Sequence, residues 1–146
     1  MSSTDPVHYV RIAEGEPLPD LKPFAPYRAV VVLQAEYSSE WQNEVSDWLV
    51  RSGCLFMMAW GPNCSSWDDS VDWSNIEEFN FQDIPEDRFV MTTWHENDPL
   101  DEVFWIAGFC ASQGVVEIQN TIIAHVSLQE AGEEMLRRFE AAQSRY

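Results

Sequence analysis

Four short apolar runs, each followed by a helix-length segment, constrain this chain more than any other feature. Residues 29–35 (AVVVLQA) are continuously apolar and rich in β-branched side chains. That is the pattern of a strand buried on both faces, since a strand with one wet face alternates apolar and polar residues. The runs CLFMMAW (54–60), FVMTTW (89–94) and NTIIAHV (120–126) read as three further strands.

The intervening segments carry helix signals. Ser39 with Gln42, Ser66 with Asp69, and Ser127 with Glu130 have capping-box spacing. Asp98 is placed to cap a helix with Pro99 in its first position. Trp41, Val45, Trp48 and Leu49 share one helical face, and Gly53 stops that helix. Trp67, Val71, Ile76 and Phe79 form a second stripe that leaves Trp73 outside it. A third helix is apolar on several sides through Leu100, Val103, Phe104, Trp105, Ile106 and Phe109, and Gly114 ends it. The last helix is expected to bury Leu128, Ala131, Met135, Leu136 and Phe139.

Strands alternating with helices predict a parallel sheet covered on both faces. The expected fold is therefore a single three-layer α/β/α sandwich, flavodoxin-like or Rossmann-like. Its sheet is four-stranded and mainly parallel, with strand order 2-1-3-4, and it occupies residues 28–146. Residues 1–27 hold five of the eight prolines and read as an extended arm, because proline opposes helix and central strand alike. The arm packs on the domain through Leu18, Leu21, Phe24 and Tyr27, and residues 8–12 within it suit a short edge strand.

Charge narrows the function. The chain has 146 residues, with 25 acids, 8 bases and a net charge of −17. Lys22 is its one lysine. Nucleic acid and anionic membrane are disfavoured partners, since both are bound by neutralising phosphates; a basic protein is favoured. No apolar run is long enough to span a membrane, and the N-terminus lacks the pattern of a secretory signal. A cytoplasmic location is expected. Cys54, Cys64 and Cys110 make no disulfide framework and no zinc-ligand spacing; Cys54 and Cys110 read as reduced core residues.

In open parallel sheets, ligands bind beyond the carboxyl ends of the strands, where strand order reverses. With order 2-1-3-4 that point lies between the first and third strands. Glu36, Cys64, His95 and His125 all leave strand ends on that rim. Cys64 lies at a helix start, but Asp68, Asp69 and Asp72 beside it oppose thiolate formation. Neither a Gly-x-Gly-x-x-Gly turn nor a Gly-Lys-Ser/Thr loop is present, so no nucleotide cofactor is expected. Glu36 and Glu96 could hold a divalent cation. The first strand, however, is followed by one Glu where receiver-like sites have an acidic pair, and the third ends in Trp94-His95, so no metal is expected.

Between Cys64 and Glu102 there are twelve acids and one base, Arg88. Helix-dipole stabilisation accounts for Asp68, Asp69, Asp98, Asp101 and Glu102; the others have no fold-level reason. Two functional expectations follow. The first is a non-enzymatic acidic binding module, inhibitor or immunity-type. It engages a basic partner through Trp67, Asp68, Asp69, Asp72, Trp73, Glu96, Asp98 and Asp101. The alternative is a small hydrolase with a cleft formed by Glu36, His95 and His125, with Cys64 as a possible nucleophile. An apolar arm at 17–27 would also permit a dimer.

Overall fold

The computed structural model describes residues 5–144. It is a three-layer α/β/α sandwich on a fully parallel sheet. The strands are β1 (Val7–Ile12), β2 (Tyr27–Leu33), β3 (Cys54–Trp60), β4 (Met91–His95) and β5 (Asn120–Val126). The helices are α1 (Ser39–Arg51), α2 (Ser65–Glu78), α3 (Leu100–Phe109) and α4 (Gly132–Gln143). Short 3-10 turns cover Lys22–Phe24 and Glu86–Arg88.

The sheet has five strands in the order β1-β5-β2-β3-β4. The fifth is β1, inside the segment read as an arm; the first four residues of that arm lie outside the described residues. The expected order 2-1-3-4 is thus replaced by 4-1-2-3 for the four anticipated strands. Crossover handedness explains why the layers sort as they do. β2, β3 and β4 step in one direction, so right-handed crossovers place α1 and α2 on one face. The return to β5 runs the other way and places α3 on the opposite face, with α4.

Each strand serves both layers. Along β2, Ala29, Val31 and Leu33 pack into the α1/α2 core beside Trp41, Val45, Leu49, Trp67 and Val71. Val30 and Val32 pack into the α3/α4 core beside Leu100, Val103, Phe104, Met135 and Phe139. Leu21 is buried in the first core, with Leu18 and Phe24 partly buried against it.

The helix starts differ from the capping boxes. Ser38, not Ser39, caps α1, accepting a 3.2 Å bond from the Trp41 amide. Ser66 donates to Asn63 O, Asp98 accepts from His95, and neither α2 nor α3 has a side-chain cap. α4 begins at Gly132, whose amide donates to Glu130 Oε1 at 2.8 Å. Leu128 therefore precedes α4 and is 78% exposed. Leu136 and Phe109 are also exposed, and Trp48, Trp105 and Ile106 are half-buried. Cys54 is buried as expected, but Cys110 is exposed, because it ends α3 instead of filling it.

α1 and α2 are joined by a polar ladder. Ser66, Ser70 and Ser74 fall four apart on α2, on one stripe. They face Gln42 (2.8 Å to Ser66), Ser46 (2.7 Å to Ser70), Asn43 (2.9 Å to Ser70) and Asp47 (2.7 Å to Ser74) on α1.

Candidate functional site

The observed order moves the switch point to the carboxyl ends of β2 and β5, from which α1 and α4 leave on opposite faces. The crevice there, about 550 Å³, is lined by Gln34, Ala35, Glu36, Ser127, Leu128 and Gln129. A larger cavity of about 820 Å³ opens on the α1/α2 side between β2 and β3, sharing Gln34, Ala35 and Glu36.

The candidate catalytic groups do not converge in either place. His125 and His95 occupy one lateral row of the sheet, with Val32 and Trp60 between them. Three strand spacings separate them, about 14 Å, beyond hydrogen-bond reach or one bridging water. His125 is buried and fully used. Its Nε2–H donates to Gln34 Oε1 at 2.6 Å, and its Nδ1 accepts the Tyr9 hydroxyl at 2.7 Å. The assignment follows from Gln34 Oε1, which can only accept, leaving Nδ1 of the neutral ring to accept from Tyr9 Oη, which also takes the Ala131 amide at 3.1 Å. Burial pulls the His125 pKa below its usual value, against the opposing pull of Glu130 and Glu134. His95 pairs with Asp98 at 2.9 Å and with Thr93 at 2.9 Å. Glu36 is exposed at the crevice mouth. Cys64 is wholly buried, and burial raises its thiol pKa, with Glu96 adding to the rise. A protonated, enclosed thiol is not a nucleophile.

The acidic and aromatic residues divide into groups. Trp67 is not on the surface. It is 0% exposed, donates to the Tyr37 hydroxyl at 2.9 Å and stacks edge-on against that ring. Asp101 pairs with Arg138 of α4 at 3.2 Å, on the far layer. Asp98 is held by His95. The remaining members gather where α2 flanks β4. Asp72 accepts from Thr92 Oγ1 of β4 at 3.0 Å. Trp94, two residues on, stands on the same face of the strand and is 50% exposed. Asp68 and Asp72 form one row of α2, and Asp69 and Trp73 the next. Trp73 is 56% exposed and meets Phe81 edge-to-face at 5.5 Å. Desolvation raises the Asp72 pKa; the Thr92 bond lowers it, and Asp68 and Asp69 raise it further. None of the ion pairs among the described residues involves Asp68, Asp69, Asp72 or Glu96.

Sequence reasoning grouped Trp94 with the rim aromatics, though not as a contact residue, and missed Phe81 as a member of this surface. For Trp94 the signal was present: Thr-Thr-Trp is polar for a strand in a parallel sheet, as only an edge strand can be. Phe81 gave none. It sits beyond α2 at φ +63°, after Asn80 at φ +54°, in a turn closed by Phe81 N–H to Ile76 O.

Fold and surface together define a small, acidic, parallel α/β domain with an aromatic face between one helix and an edge strand. The chain belongs to the family described as a domain of unknown function, DUF7684, which matches residues 7–142, from β1 into α4. No curated protein and no solved structure matches it.

Proposed function

We propose that the protein is a non-enzymatic binding module, of the inhibitor or immunity type, that engages a basic protein through the α2/β4 face. The observation that carries this is the pairing of exposed Trp73, Trp94 and Phe81 with acids that have no ion-pair partner among the described residues. Large aromatics surrounded by charge are the usual anchors of protein interfaces. Uncompensated acids of one sign speed encounter with a basic partner. Phe81 adds support: an aromatic residue held at positive φ and yet exposed is strain the core does not require. The acidic-rim residues that contribute are Asp68, Asp69, Asp72 and Glu96.

The test is affinity capture from the parent cell's extract, followed by affinity measurement on the purified partner at two ionic strengths. A basic partner should bind less tightly in higher salt. It should bind weakly to Asp68→Asn/Asp69→Asn/Asp72→Asn and to Trp73→Ala. A partner whose affinity ignores both salt and these substitutions would overturn the proposal.

A further inference from the structure

β4 forms one edge of the sheet. It pairs with β3 alone, and no backbone hydrogen bond from a turn or loop reaches Met91–His95 among the described residues. Alternate residues of β4 therefore direct their N–H and C=O groups away from β3, towards the edge. Natural edges are usually blunted by lysine, proline, an inward charge or a bulge. β4 reads Met-Thr-Thr-Trp-His, with none of those residues, and its register with β3 is unbroken. Threonine and tryptophan are also among the strongest strand formers. Met91 on one side and Trp94 on the other are 37% and 50% exposed, so the edge offers side-chain contacts as well as backbone groups.

We infer that β4 is a strand-addition site, taking an extended basic segment of the partner as a sixth strand. This rests on the acidic-face reading above and says how the partner is held. Charge selects the occupant. Asp68, Asp69 and Asp72 flank the strand, Glu86 and Asp87 precede it, and Glu96 and Asp98 follow it. A second copy of this chain would set those acids against their own copies, whereas an extended lysine- or arginine-bearing segment meets them. In strand addition, main-chain bonds supply affinity, and alternate side chains supply specificity. Here one side of the added strand would face Trp94 and the acids of α2, and the other would face Met91.

The probe is an eight-residue peptide of alternating lysine and valine, compared with the same peptide N-methylated at alternate residues along one edge. Methylation keeps every charge and side chain but removes the donors that pair with β4. The unmethylated peptide should bind in a salt-sensitive manner and slow amide exchange within Met91–His95. Methylation along the pairing edge should weaken it about tenfold, the equivalent of one or two net hydrogen bonds; both edges are made and the weaker binder taken. Equal binding by all three peptides would overturn strand addition and leave the acidic face standing. No binding, or binding indifferent to salt, would overturn both. A dimer in sedimentation whose β4 amides are already protected would assign the edge to a second copy and overturn the choice of occupant.

Discussion

Asp72→Asn should make the protein more stable and a poorer binder. Asp72 is half-buried, and its carboxylate is disfavoured first by desolvation and then by Asp68 and Asp69. Those two acids lie four and three residues before it on α2, and a like-charge pair at such spacing costs roughly 0.2–0.5 kcal/mol. Asparagine retains an oxygen to accept from Thr92 and removes both repulsions. With solvent screening of a partly exposed group, the expected gain is about 0.5 kcal/mol. For a chain of this size that is a rise of about 2 °C in Tm. The pH dependence has a fixed sign. The folded state holds its Asp72 proton more tightly than the unfolded state, so the carboxylate costs stability at neutral pH. That cost disappears as pH falls from the raised folded value towards the ordinary aspartate value. The difference between variant and wild type, from urea melts at pH 7 and at successively lower pH, should shrink to nothing in acid. It should also shrink in high salt. A variant less stable than wild type by 1 kcal/mol or more, or a gain indifferent to pH, would refute the reasoning.

Trp67→Ala should cost about 3–5 kcal/mol in chemical denaturation, since it empties a core position, whereas Trp73→Ala should cost under about 1 kcal/mol and act on binding. Gly61→Ala should destabilise by about 1–3 kcal/mol, because Gly61 sits at φ +121° and a Cβ there would lie 2.8 Å from Leu33 O; a melt within error of wild type would contradict this. His125 has a depressed pKa, so its contribution is complete above the normal histidine value and is lost as pH falls through the folded one. Denaturant midpoints should decline below about pH 6.5, and His125→Gln should flatten that decline.

The strands were legible because a strand buried on both faces needs a continuous apolar run, and β2, β3 and β5 have one. β4 was legible as a strand, yet its edge position was not recognised from its threonines. Strand order lay beyond reach because hydrophobic pattern records how deeply a strand is buried, not beside which neighbour. The same ambiguity affected α2. Trp67 and Trp73 have the same chemistry, and only the stripe through Val71 distinguishes the buried one from the exposed one. Serine read as a cap at 66 is one rung of the ladder to α1, because a hydroxyl serves a neighbouring helix as readily as its own backbone. The repeat of serine at 66, 70 and 74 was the readable clue. The separation of His95 from His125 followed wholly from strand order.

Among the described residues β1 has β5 as its one strand partner, and β5 separates it from β2, so Val7 lies beside Thr121 although most of the chain runs between them. During synthesis on the ribosome, β2, β3 and β4 emerge in the order in which they sit side by side and can assemble with α1 and α2. β1, made before the other four, must wait for β5. Until β5 emerges and slots in, the flank of β2, the most apolar strand, stays open to wrong partners. This domain is thus most vulnerable just before β5 and α4 leave the exit tunnel.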